Sequence, residues 1–284
     1  MQRAIRDILR EDATRLDTTL DLGATTARIE AQCLLQHVLN VPRSYLLAHS
    51  EQILNPVQQA AYDTLLQRRL RGEPVAHILG AREFFGLTFK VTSDTLIPRP
   101  ETELLVELAL QRIPAHGPFR VLDLGTGSGA IAISIAQNRP DAEVVAVDAS
   151  EAALVVAREN ARNLGAANVS IFYSDWFSGL SGERYNLIVS NPPYVASGDI
   201  HLTQGDVRFE PISALASGTD GLDDIRRIIV GAGKFLEHGA WLQMEHGYDQ
   251  ADKVRKILLN SGFAEVFSAT DISGIERVSG GILQ

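Results

Sequence analysis

Val121-Leu122-Asp123-Leu124 runs straight into Gly125-Thr126-Gly127-Ser128-Gly129, an apolar strand closed by three glycines in five residues. Glycine at that density marks a sharp strand-to-helix turn, where the backbone doubles back and stays close to what it faces. A helix expected over 129–138 aims its unpaired N–H groups and positive end at the same place, which favours a carboxylate or phosphate. The downstream pattern agrees. Strands are expected over 120–124, 143–148, 169–173, 185–190 and 240–245, and further helices over 151–164, 222–236 and 249–261. Two closing strands, 264–269 and 276–282, are joined by a turn through Ser273-Gly274. Such alternation implies an α/β fold, with a mainly parallel sheet covered on both faces and an antiparallel addition at its end.

The first part of the chain has a different period. Ile29, Leu34, Leu35, Val38 and Leu39 form a helical stripe over 26–40, which Pro42 ends. Asn55-Pro56 is an N-cap followed by proline at the first helical position. Val57, Ala60, Ala61, Leu65, Leu66 and Leu70 supply the apolar face of that helix, and Gly72 closes it. Residues 1–72 are therefore expected to be a small helical domain. Glu83–Val91, aromatic and β-branched around Gly86, reads as a hairpin inside a linker over 73–98. The α/β domain takes 99–284.

The 284 residues carry a formal net charge of −9, so the whole-molecule field does not attract nucleic acid. Arg68, Arg69 and Arg71 cluster, but a solvated helix face accounts for them. The single cysteine, Cys33, forbids an internal disulfide and reads as a small core side chain. Arg3, Arg6, Asp7, Arg10, Glu11 and Asp12 leave no apolar signal-peptide core, and no apolar run reaches membrane-spanning length. A cytoplasmic protein is expected. The seven histidines show no metal-ligand spacing, so no metal is expected.

Asn191-Pro192-Pro193-Tyr194 follows the strand at 185–190. Each proline fixes its own φ, restricts the residue before it and removes an N–H. What remains is a rigid corner rich in acceptors, suited to gripping an NH2 group. Asp148, about 20 residues past the glycine turn, is placed to accept from ribose hydroxyls. Gly125-x-Gly127-x-x-Ala130 also fits a nicotinamide pattern. Two features favour S-adenosylmethionine. Asp123 can answer an ammonium, with loop bracing as its alternative role. Asp175-Trp176 suits an adenine, the carboxylate accepting from the amine and the indole packing on the ring, with core filling as the alternative for Trp176.

These elements, in this order, resemble class I S-adenosylmethionine-dependent methyltransferases that modify a planar NH2 nitrogen. Ile97-Pro98-Arg99-Pro100-Glu101-Thr102-Glu103 narrows the resemblance to the PrmC/HemK family of protein-(glutamine-N5) methyltransferases acting on peptide chain release factors. The resemblance covers nearly the whole chain. It implies a Rossmann-like seven-stranded sheet and a substrate glutamine in the Gly-Gly-Gln loop of class I release factors. It also implies a helical N-terminal domain that docks this partner. Asn191 and Pro192 are expected to accept the two amide protons, with Pro193 and Tyr194 walling the slot. The cofactor contacts are expected from Asp123, Gly125, Thr126, Gly127, Ser128, Gly129, Asp148, Asp175, Trp176 and Asn191. Arg99, Glu101 and Glu103 are expected to shape the nearby loop. A monomer without direct nucleic-acid contact is expected. Glutamine methylation of a ribosomal protein and N6-adenine methylation of nucleic acid remain the alternatives. A nicotinamide dehydrogenase would need a catalytic His or Lys, and none stands out. Residues 195–221, rich in Gly, Ser and Asp, read as a mobile loop over the substrate entrance.

Overall fold

The computed structural model describes residues 3–284. In chain order the regular elements begin with α1 (Ile5–Leu20), α2 (Ala24–Leu39), α3 (Arg43–Ala48), α4 (Pro56–Leu70) and α5 (Val75–Leu79). A hairpin follows, β1 (Ala81–Phe84) and β2 (Leu87–Lys90), then α6 (Glu103–Arg112). Next come β3 (Phe119–Leu124), α7 (Ala130–Asn138), β4 (Ala142–Asp148), α8 (Glu151–Asn163), β5 (Val169–Tyr173) and β6 (Tyr185–Ser190). The chain ends with α9 (Asp223–Ala232), β7 (Leu236–Glu245), α10 (Ala251–Asn260), β8 (Phe263–Thr270) and β9 (Glu276–Leu283). Two compact units result. One holds residues up to Gly80 together with Thr203–Phe209, and the other holds Ala81–Leu202 and Glu210–Gln284.

In the helical unit, Ile5, Ile8, Leu16, Leu34, Leu35 and Tyr62 are fully buried. The start of α4 is set by its sequence. Asn55 Oδ1 accepts from the Gln58 N–H while the Gln58 side chain accepts from the Asn55 N–H, a reciprocal capping box with Pro56 at the first helical position. Of the expected face of α4, Leu66 is buried and Leu65 and Leu70 pack against the core, while Val57 is exposed and Tyr62 and Arg69 are buried as well. Ile29 is also largely exposed, and Cys33 is only half-buried.

Arg69 is buried among its partners. Its side chain is 1% exposed and its guanidinium donates to both Glu30 oxygens, at 2.7 and 3.1 Å, and to Asp206 Oδ1 at 2.9 Å. Two further bonds run to the carbonyls of Gly72 and Glu73. It is thus not part of a solvated basic face. A planar, always-charged fork is the side chain that can be buried this way, with each of its three nitrogens bonded. The segment 203–209 joins the helical unit through this contact. Residues 195–221 carry short 3-10 turns at Ile200–Thr203, Val207–Phe209 and Ile212–Ala214.

The second unit is built on a seven-stranded sheet in the order β5-β4-β3-β6-β7-β9-β8. Strands β3 to β7 are parallel, and β9 lies antiparallel between β7 and β8. Alternate residues face opposite layers. Val121, Val144, Ala146, Leu187 and Val189 pack with α6, α7 and the hairpin residues Phe84 and Phe89. Leu122, Val145, Val147, Ile188 and Leu242 pack with α9 and α10. The strand order reverses between β3 and β6, the place where open parallel sheets leave a crevice beyond their carboxyl ends.

Removing a buried charge's partner is costlier than the pair itself is worth, because the remaining charges stay desolvated. Arg69→Ala should therefore destabilise the helical unit by ~3–5 kcal/mol. Denaturant unfolding followed by Tyr62 hydrogen-exchange protection would measure it, with the exposed Arg43→Ala as the silent control.

Candidate active site

Register places the site. Leu124 on β3 pairs with Ser190 on β6, and Ser190 Oγ donates to the Leu124 carbonyl at 2.7 Å. The next residues, Gly125 and Asn191, therefore leave the sheet side by side. A cavity of 340 Å³ opens there, lined by Gly125, Thr126, Gly127 and Ser128 from the glycine turn and by Asp148 at the end of β4. Asp175, Trp176, Asn191 and Pro193 complete the expected part of its wall.

Each of these groups is held by local bonds. Asp148 accepts from the Gly127 N–H at 2.9 Å through one oxygen and from the Ser150 N–H at 2.8 Å through the other. Burial raises its pKa, while these N–H bonds pull it down. Each oxygen retains a second lone pair for a ligand hydroxyl. Trp176 sits at φ 50 and packs across the turn: a Cβ on Gly125 would come within 3.3 Å of the indole. The indole Nε1 donates to Asp224 Oδ1 at 3.0 Å, and Asp175 pairs with Arg227 at 3.2 Å. Both partners sit on α9, so the helix after the 195–221 segment frames the cavity, which sequence reasoning did not foresee.

Four expected residues do not line the cavity. Asp123 is fully buried behind the turn, where Oδ2 accepts from Thr126 Oγ1 at 2.6 Å. It braces the turn, the alternative role weighed for it, and Oδ1 is left buried without a partner. Burial pushes this carboxyl up to about 7. Gly129 precedes α7 and Pro192 is buried. The Tyr194 hydroxyl turns away to donate to Glu245 Oε1 at 3.2 Å, so Pro193 alone of that pair walls the cavity.

The Asn-Pro-Pro-Tyr corner is fixed from below. Gln250 Nε2 donates to the Tyr194 carbonyl at 2.9 Å. Gly221 approaches so closely that a Cβ would stand 2.2 Å from that same oxygen. The Asn191 amide nitrogen donates to Thr102 Oγ1 at 3.1 Å, leaving Oδ1 buried with no protein partner. Arg99 lines the cavity and holds Glu210 at 2.5 Å, whose other oxygen accepts from the Ile97 N–H. Glu103 accepts from the Phe85 N–H at 2.8 Å, and Glu101 is exposed. Asn160, unremarkable in sequence, accepts from the Lys90 N–H and donates to the carbonyls of Lys90 and Ser128. It clasps hairpin, α8 and glycine turn together.

The small methyltransferase domain family model matches residues 101–208, and the PrmC N-terminal domain model matches 18–80. Release factor glutamine methyltransferase of Burkholderia pseudomallei is 51% identical over 94% of this chain and 99% of its own length. That of Bordetella pertussis is 53% identical over 90% and 95%, and that of Escherichia coli 46% over 90% and 92%. The chain belongs to the release factor glutamine methyltransferase family. Among solved structures, the hMettl16 catalytic domain in complex with a 3'UTR hairpin superposes with a TM-score of 0.56 at 18% identity, over 76% of this chain and 81% of that one. A methyltransferase from Pyrococcus furiosus gives 0.54 at 16%, over 78% and 98%. These two share the class I methyltransferase fold. As a member of that family, the protein is an enzyme that uses S-adenosylmethionine.

The cavity suits that cofactor in its acceptors, its flat indole and its narrow glycine turn. Gly125→Ala should crowd Trp176 and strain a backbone at φ 73. Affinity for S-adenosylhomocysteine, read by calorimetry, should fall about 10-fold, equivalent to about 1.4 kcal/mol, with the fold retained.

Proposed function

We propose that the protein methylates the side-chain amide nitrogen of the glutamine in the Gly-Gly-Gln motif of class I release factors. The observation that carries this reading is Asn191 Oδ1, a buried acceptor without a protein partner at the edge of the cofactor cavity. A buried acceptor left open is costly, and a substrate N–H is the group that would answer it. The relatives' name supplies the substrate class: they are release factor glutamine methyltransferases.

The chemistry follows from the weakness of an amide as a nucleophile. Its nitrogen lone pair is delocalised into the carbonyl. Asn191 Oδ1 and the Pro192 carbonyl would accept its two protons, which points the nitrogen along one line and raises its electron density. Orientation of this kind is worth ~7–11 kcal/mol in a well-aligned site. The same acceptors favour positive charge developing on nitrogen, an effect confined to the transition state. S-adenosylmethionine, when bound, supplies a methyl on a sulfonium sulfur. Asp148 would take the ribose hydroxyls, and Trp176 and Asp175 the adenine. Asp123 would act through the turn it braces. No strong base is needed beforehand, because the nitrogen proton becomes acidic once the methyl has arrived.

A protein substrate suits the net charge of −9, which repels a nucleic-acid backbone. The helical unit would dock the release factor. The enzyme would work as a cytoplasmic monomer. No helix among the described residues is long and apolar enough to cross a membrane.

The test is incubation with labelled S-adenosylmethionine and unmodified release factor, followed by peptide mass spectrometry. One methyl on the Gly-Gly-Gln glutamine is expected. Methyl transfer to an oligonucleotide or ribosomal protein instead would overturn the reading. Asn191→Ala should lower kcat about 100-fold or more while S-adenosylhomocysteine affinity stays within about threefold.

A further inference from the structure

We propose that Asp224 is a positioning residue that holds the Trp176 indole in the cofactor cavity and, through Ser217, couples cofactor binding to the order of the Asn-Pro-Pro-Tyr corner. This rests on the reading of Trp176 as the adenine platform and of the corner as the substrate slot, and it names what joins the two.

Trp176 needs holding. Its backbone lies at φ 50, in the left-handed region where a bulky residue is strained. Ser174 Oγ donates to the Trp176 carbonyl at 2.6 Å, which secures the backbone but not the ring. The residue is only half-buried, and the ring has one polar atom, Nε1, for a neighbour to grip. Asp224 Oδ1 takes that N–H at 3.0 Å. A carboxylate acceptor makes the bond charge-assisted and so stronger than a neutral one.

The second oxygen of the same carboxylate is also engaged. Asp224 Oδ2 accepts from Ser217 Oγ at 2.8 Å, and Ser217 Oγ accepts from the Asp224 N–H at 2.8 Å. That N–H lies in the first turn of α9, where the helix offers it no partner. Ser217, 2% exposed, therefore answers a helix start and a carboxylate with one hydroxyl. Capping the helix alone would need only the bond from the N–H. The bond to Oδ2 does something further: it fixes the Asp224 side chain, and with it the acceptor that the indole meets.

Ser217 then continues into the corner through its backbone. Its N–H donates to the Val195 carbonyl at 2.9 Å, and the Val195 N–H donates to the Leu215 carbonyl at 2.9 Å, a parallel bridge between Val195 and Ala216. Ser197 adds a bond to the Gly218 carbonyl at 2.8 Å. Val195 directly follows Tyr194, so three successive hydrogen bonds join the indole to the end of the corner. When the face of the indole is covered, the ring loses freedom. Asp224 then meets a fixed donor, Ser217 a fixed carboxylate, and the bridge at Val195 opens less often. Part of the ordering of the corner is thereby complete before a substrate arrives, which is positive cooperativity without a change of shape. By linkage, a substrate in the corner tightens the cofactor by the same factor.

The test uses the full-length protein, S-adenosylhomocysteine as the probe, and the variants Asp224→Ala, Asp224→Asn and Ser217→Ala. Amide hydrogen exchange is read at Val195 and Ser197, and affinity by calorimetry. In wild type, saturating S-adenosylhomocysteine should slow exchange at both amides about 10-fold. In Ser217→Ala the slowing should shrink to less than about twofold while affinity stays within about threefold of wild type. Asp224→Ala should lose the slowing and weaken S-adenosylhomocysteine about 10-fold. Asp224→Asn keeps an acceptor for the indole and a polar group for Ser217, so it should restore most of both effects.

The Trp176 indole N–H resonance, identified by its loss in Trp176→Phe, should also move in Asp224→Ala, where its acceptor is gone. No slowing in wild type, full slowing in Ser217→Ala, or an Asp224→Ala protein that binds S-adenosylhomocysteine within about threefold of wild type would each overturn the proposal. None of these readouts needs release factor. A normal exchange response in an enzyme that does not methylate release factor would leave the coupling standing and fault the substrate assignment.

Discussion

The pairing of Leu124 with Ser190 in adjacent parallel strands is the constraint on which the site depends, because it sets two unrelated turns at the same height. Parallel strands slip in steps that exchange their faces, so the buried alternation of Val121/Leu122 and Leu187/Ile188 locks this register. The glycine turn and the Asn-Pro-Pro-Tyr corner then line one cavity from neighbouring strands. Neither needs to reach far. The Ser190 hydroxyl bond to the Leu124 carbonyl adds a clamp at the last point before the chains diverge.

Around that pair the molecule is braced by polar side chains acting at a distance in sequence. Asn160 bonds both to the hairpin and to the glycine turn. Gln250 holds the Tyr194 carbonyl, and Asp224 holds the Trp176 indole. All three place amide or carboxylate groups against backbone carbonyls or backbone or ring N–H groups in half-buried or buried positions, where such bonds are strongest and their loss most costly. The positions of the reacting groups are thus set less by the loops that carry them than by three separate helical elements beneath.

Much of this was legible in the sequence where local chemistry decides the outcome. The α/β alternation, the Asn55 cap and the two signature turns follow from periodicity, capping and backbone restriction, which act over a few residues. Boundaries shifted by a residue or so for most elements, and by more at α9 and β7, where Gly231, Gly233 and Gly239 blur the transition. What stayed hidden was long-range pairing. Nothing in the spacing of Arg69 announces that Glu30 and Asp206 will meet it. Nothing around Thr102 points at Asn191, whose amide nitrogen donates to its hydroxyl. Two side chains 89 positions apart carry no local pattern.

The buried Arg69 also bears on how the chain is made. The helical unit is the first part to leave a ribosome, yet its charge cluster is incomplete without Asp206, and the segment 203–209 belongs to it. Before that segment is made, Glu30 is the one carboxylate on the guanidinium, beside the Gly72 and Glu73 carbonyls. The last carboxylate that Arg69 needs thus lies beyond β3 to β6 and the Asn-Pro-Pro-Tyr corner in the chain, although the unit it completes lies before them.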